Sequence, residues 1–139
     1  MELDLKSFLT QYGDALKDKV INKYNPLFDP NSRDTWDNDT SLRLSNLKRQ
    51  PFPGQANVIL ALAKGFYVKG KRGLILNGEM GTGKTICAII VAHLMPKANY
   101  RVLIMCPGHL VQKWIREIES TIPRCRTINL NGKVRHEVA

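Results

Sequence analysis

Eight consecutive residues, Gly78-Glu79-Met80-Gly81-Thr82-Gly83-Lys84-Thr85, constrain this chain more than any others. They satisfy the spacing G-x-x-x-x-G-K-[ST], in which glycines let the main chain wrap closely around an anion. Several backbone N–H groups then converge on phosphate oxygens, and the N-terminus of the following helix adds the positive end of its dipole. The flanking residues agree with this reading. Gly73-Leu74-Ile75-Leu76-Asn77 is a short apolar run of the length of a buried parallel strand. Ile86 to Leu94 is apolar almost all round and stops near Pro96, as a buried helix would. A ligand-free glycine turn between two core elements would leave the Lys84-Thr85 pair unexplained.

The whole loop from Gly78 to Thr85, with Glu79, Met80, Gly81, Thr82 and Gly83, is therefore expected to contact ATP. Lys84 is expected to reach the β- and γ-phosphates, and the Thr85 hydroxyl to hold Mg²⁺. These two are the expected catalytic residues.

At 139 residues the chain is about one domain long and can bury a core. No run of ~18 apolar residues occurs, so no membrane span or membrane partner is expected. Met1 to Leu5 lacks a basic segment followed by an apolar one, so no secretory signal is expected. Cys87, Cys106 and Cys125 have no metal-like spacing and read as reduced cytosolic thiols. Charge is uneven. Residues 1–40 hold five Lys/Arg against eight Asp/Glu, whereas residues 41–139 hold sixteen against four. The half bearing the loop is thus strongly basic, which suits a polyanion such as nucleic acid, though solubility or ATP would use some of that charge.

Residues 4–24 carry Leu5, Phe8, Leu9, Leu16, Val20, Ile21 and Tyr24 at broadly helical spacing, ended by Asn25-Pro26. Asp29 to Thr40 is polar and turn-rich and reads as a loop; its Trp36 either anchors the loop or meets a partner. The expected division is a helical extension and loop at 1–40 and a nucleotide-binding unit at 41–139. Within the latter, a helix is expected from about Gln55 to Val68 and another from His109 to Ser120. Strands are expected at 73–77, 101–106 and 126–130. Strands alternating with helices predict an α/β fold with parallel pairing.

Two segments narrow the family. In Pro51-Phe52-Pro53-Gly54-Gln55 the glutamine amide can both donate to and accept from an adenine edge. Taken alone, a capping or surface Gln55 is the default, and Phe52 packs either on a base or on the helix. In Leu103 to Glu117 a strand ends at Cys106-Pro107 and a helix follows at once, with Trp114 and Glu117 one and two turns in. Ligands of open parallel sheets bind beyond the strands' carboxyl ends, so Pro107, Gly108 and His109 are candidates for a nucleic-acid phosphate. Trp114 reads as core, and His109 as a helix-start or phosphate-side residue rather than a catalytic base.

Together these residues resemble the first lobe of superfamily 2 helicases and translocases, most closely the Swi/Snf-like branch. Gln55 is similar to the adenine-reading glutamine of that family, Gly78–Thr85 to its motif I, and Val102–Glu117 to its motif Ia. The resemblance covers roughly residues 44–130. It implies a RecA-like α/β lobe, here truncated and preceded by a helical extension. It further implies ATP and Mg²⁺ as ligands and double-stranded DNA as the track. One departure stands out. No Asp-Glu-x-His box follows the third expected strand, and the family's second lobe, source of its arginine fingers, is not in these residues. The expectation is an N-terminal piece of a DNA-dependent ATPase, inactive alone, whose apolar edges favour self-association or await the rest of the enzyme. Alternatives are a non-catalytic nucleotide- or nucleic-acid-binding module, or the motor of a restriction enzyme. A cytoplasmic protein of bacterial or phage type is expected.

Overall fold

The computed structural model describes residues 5–24, 26–97 and 99–131. Helix α1 spans Leu5–Tyr24, α2 Thr35–Leu44, α3 Pro53–Tyr67, α4 Lys84–His93 and α5 Val111–Thr121, with a 3-10 turn at Gly108–Leu110 leading into α5. Helix α4 is the centre. It packs against α3 and α5, and α2 lies on α3.

The core follows from the apolar wrapping of α4. Ile86, Cys87, Ile89, Ile90, Val91 and Leu94 are buried, as are Ile59, Leu60 and Ala63 of α3 and Ile122 beyond α5. Trp114 and Ile118 of α5 pack against this cluster, as the sequence suggested for Trp114. Pro53 begins α3 with the fixed φ that suits a first helical turn. Gly65 of α3 is buried under the Leu74 side chain, whose methyl a Cβ there would meet at 2.7 Å, so the 73–77 segment runs closely over α3.

Two sequence expectations need correction. Residues 35–40, read as loop, form the first part of α2. Asp34 caps that helix, accepting from the Asp37 N–H at 2.9 Å, while the Asp37 carboxylate accepts from the Asp34 N–H at 3.0 Å. This reciprocal pair offsets the poor intrinsic helix propensity of the Asp- and Asn-rich run. The expected division near residue 41 consequently falls inside a helix.

The second correction concerns the sheet. Among the described residues no strand is formed: 73–77, 101–106 and 126–130 are neither helical nor paired. No ladder hydrogen bond joins 73–77 to 101–106. A period-two pattern survives, with Leu74 and Leu76 part-buried while Ile75 is 93% exposed. Leu103 and Met105 are likewise 72% and 89% exposed. The reason is cover. Parallel strands are stable when neighbours pair them and both faces are buried, whereas here α3 and α4 cover one face alone.

Helix α1 makes no packing contact with another element among the described residues. Phe8, Tyr12, Leu16 and Val20 lie exposed along it, the first two rings 5.2 Å apart.

Candidate nucleotide site

The glycine loop is built by backbone that other residues resist. Gly81 has φ 87° and Gly83 φ 84°, both left-handed. Gly83 is the residue before α4, and a Cβ there would also collide with the Gln55 amide nitrogen. The left-handed φ favours glycine at this position, and any side chain there would also push the Gln55 amide aside. No side chain caps α4 among the described residues, so its first-turn N–H groups stay available to an anion.

Lys84 is curled back across the loop. Its Nζ donates to the Gly78 carbonyl at 2.8 Å and to the Glu79 carbonyl at 2.7 Å. The Thr82 hydroxyl donates to the same Glu79 oxygen at 2.9 Å. The loop thus holds an ammonium at its own mouth, on oxygens that a triphosphate would displace. Met80 is 98% exposed and gives the loop main chain only. Thr85 lies part-buried in the first turn of α4.

Gln55, 29 positions before Lys84 in the chain, is brought against the loop. Its Nε2 donates to the Thr82 carbonyl at 3.2 Å, and its Oε1 accepts from the Phe52 N–H at 3.0 Å. One amide therefore caps α3 and braces the loop. It keeps one N–H and one lone pair for a ligand. Pro107, Gly108 and His109 lie exposed at the start of the 3-10 turn ahead of α5, which the Leu110 N–H closes on the Pro107 carbonyl at 2.8 Å. No hydrogen bond joins this turn to the loop.

The far end of α4 depends on residues that sequence reasoning missed. Tyr67 donates to the Val91 carbonyl at 2.7 Å and Arg43 to the Leu94 carbonyl at 3.1 Å, satisfying terminal acceptors that the helix cannot. Nothing local in the sequence announces either contact, since their separations are 24 and 51 residues. His93 Nδ1 and the Tyr100 hydroxyl share a hydrogen bond of 2.8 Å. Burial, and then the Arg43 charge, hold the His93 pKa below its ordinary value. Burial raises those of Tyr67 and Cys87, so the Cys87 thiol stays protonated and is a core residue rather than a nucleophile. Lys64 of α3 binds Asp34 at 2.6 Å and the fully buried Asp37 at 2.8 Å, locking α2 to α3. The Asp34-x-x-Asp37 capping pattern was the signal for α2; its ion partner 30 residues on had none.

An apolar cavity of about 500 Å³ lies between α3, α4 and the 74–76 and 101–103 segments, lined by Leu62, Phe66, Leu76 and Val91 among others. None of its lining belongs to the glycine loop, and its apolar walls suit packing rather than a triphosphate.

Known proteins share parts of this sequence. The family model described as SNF2-related domain matches residues 29–139. "Protein CHROMATIN REMODELING 19" of Arabidopsis thaliana is 36% identical over 72 residues, which is 50% of this chain and 9% of that protein. "DNA excision repair protein ERCC-6-like" of Bos taurus is 32% identical over 80 residues, 56% of this chain and 6% of that protein. Its Danio rerio counterpart is 33% identical over 81 residues, with the same coverage, 56% and 6%. The chain therefore spans less than a tenth of the length of these relatives. No solved structure matches it. The relatives come from a plant, a mammal and a fish, which overturns the expected bacterial or phage-type origin and, with it, the cytoplasmic assignment. With the match running from residue 29 to residue 139, this chain belongs to the SNF2-related domain family, the Swi/Snf-like branch of superfamily 2 helicases and translocases, and so to the RecA-like folds.

Proposed function

We propose that this chain carries the ATP-binding part of a DNA-dependent ATPase, a double-strand DNA translocase or helicase. The observation that supports it best is the loop at α4, where left-handed Gly81 and Gly83 shape the backbone and the Lys84 ammonium sits on two loop carbonyls. In this reading the triphosphate takes the place of those carbonyls as the partner of Lys84, and the first-turn N–H groups of α4 face the phosphates. Thr85 is the protein ligand for Mg²⁺, whose charge, when bound, offsets that of the β- and γ-phosphates. Gln55 spends its remaining N–H and lone pair on the adenine edge. The Pro107-Gly108-His109 turn meets the DNA backbone. A protein named for chromatin remodeling and two named for DNA excision repair among the relatives support DNA as the partner.

The division of the chain is drawn between α1 and α2 rather than near residue 41. Helix α1 is the extension, and α2 is fastened to the lobe through Lys64. The exposed Leu103 and Met105 form a face for further lobe residues or, in their absence, for a second copy.

Residues 1–139 include neither an Asp-Glu-x-His box nor a second lobe. Without an arginine finger, turnover falls on the order of 10³–10⁵-fold. The purified 139-residue chain is therefore expected to bind a fluorescent ATP analogue weakly with Mg²⁺ and to release no measurable phosphate. Phosphate release that disappears in Lys84→Ala would overturn the inactivity. Unchanged analogue binding in Lys84→Ala would overturn the site.

A further inference from the structure

Helices α3 and α4 run side by side in the same sense. Gln55, near the start of α3, reaches Thr82 just before α4, and Tyr67, the last residue of α3, reaches Val91 near the end of α4. Their C-terminal ends therefore lie together, about 15 Å from the glycine loop by the length of α4. At that end α3 runs into Lys69-Gly70-Lys71-Arg72, a turn with every residue exposed. Its main chain is fixed: the Lys69 N–H donates to the Lys64 carbonyl and the Lys71 N–H to the Gly65 carbonyl, each at 2.9 Å. Gly70 supplies the left-handed φ of 62° that the reversal needs. Arg101, also exposed, lines the same cavity as Tyr67 and Leu74, the residues on either side of this turn.

The charge here is uncompensated along the chain. From Lys64 to Arg116 the sequence holds a single carboxylate, Glu79, and it belongs to the glycine loop at the other end of α4. The one nearby lysine with acidic partners, Lys64, is consumed by Asp34 and Asp37. The structural demands on the turn are met by its main chain and by Gly70. They do not call for three cations in four residues.

We propose that Lys69, Lys71 and Arg72, with Arg101, form a second contact for the phosphate backbone of duplex DNA, at the C-terminal ends of α3 and α4 and apart from both the ATP loop and the Pro107-Gly108-His109 turn. A pre-formed turn suits a repeating phosphate backbone, because little order remains to be imposed on binding. The contact carries no base readout, so it is indifferent to sequence. This inference rests on the reading that DNA is the partner.

The test is fluorescence anisotropy of a labelled duplex titrated with the 139-residue chain over a range of salt. The chain is compared with its Lys69→Ala/Lys71→Ala/Arg72→Ala and Lys84→Ala variants. Each lost phosphate contact lowers the slope of log K against log salt by about 0.9. The triple variant should therefore bind more weakly with a slope smaller by about 2.7, while its binding of an ATP analogue stays that of the parent. Lys84→Ala should leave the slope unchanged. A parent that binds duplex with a triple variant of equal slope and affinity overturns the second contact alone. A parent that binds no duplex at all overturns the DNA reading and this contact with it. Displacement of the duplex by polyglutamate as efficiently as by unlabelled duplex identifies an acidic protein surface as the partner and overturns the proposal as well.

Discussion

Two residues illustrate how unevenly single positions matter. Gly83 is held by its left-handed φ of 84° and by the Gln55 amide packed against it. Gly83→Ala is expected to lose about 1–2 kcal/mol from backbone strain and to weaken ATP-analogue binding through the displaced Gln55. Urea unfolding and analogue titration read the two effects separately. Lys64 stands at the opposite extreme of legibility. Lys64→Met leaves the fully buried Asp37 carboxylate without its cation. Removing one partner of a buried pair costs about 3 kcal/mol or more, so the urea midpoint should drop sharply, with Lys64→Arg recovering part of it. The glycine turn ahead of α4 was readable because its spacing dictates the local backbone, as left-handed Gly81 and Gly83 show. Lys64, Arg43 and Tyr67 were not, because each acts on a group brought close only by the packing of α2, α3 and α4.

At the scale of elements, charge ties α2 to acid stability. The Lys64 side chain, first, and the Asp37 N–H, second, hold the Asp34 carboxyl below its ordinary pKa of 3.8. A depressed carboxylate stabilises the fold above that ordinary value, and the contribution is lost as pH falls through the folded-state value. Asp34→Ala should therefore lower the melting temperature by a few degrees at neutral pH and flatten its decline at acid pH. Asp34→Asn, which still caps α2, should flatten the acid limb with a smaller neutral loss. Helix α4 carries a different signature. His93 resists protonation when folded, so the unfolded chain takes up the proton first, near its ordinary 6.5. Stability should be flat above that value and decline as pH falls from about 7 towards 5. His93→Gln should remove this part of the profile, measured as melting temperature against pH. Helices α3, α4 and α5 were legible from apolar periodicity within two or three residues at their ends, whereas α2 was hidden by its polar composition. The strands misled for a physical reason: Leu74, Leu76 and Leu103 have the pattern of a buried sheet, but pattern alone supplies no pairing partner.

For the whole molecule, α2, α3 and α5 gather around α4, with the glycine loop at one end of α4 and a basic turn at the other. The SNF2-related match over residues 29–139 places this chain in a family of RecA-like lobes. The family was more legible than the fold, because the motif spacings that identify it are local in the chain, whereas a sheet depends on contacts across the molecule. The central claim is that residues 78–85 grip a triphosphate. The most direct measurement is a titration of the isotopically labelled chain with MgATP, followed through its backbone amide resonances. Saturable shifts are expected, concentrated at Gly78–Thr85 and at the Gln55 side-chain amide and absent in a folded Lys84→Ala variant. Shifts of equal size in Lys84→Ala, or shifts confined to residues outside this loop, would contradict it.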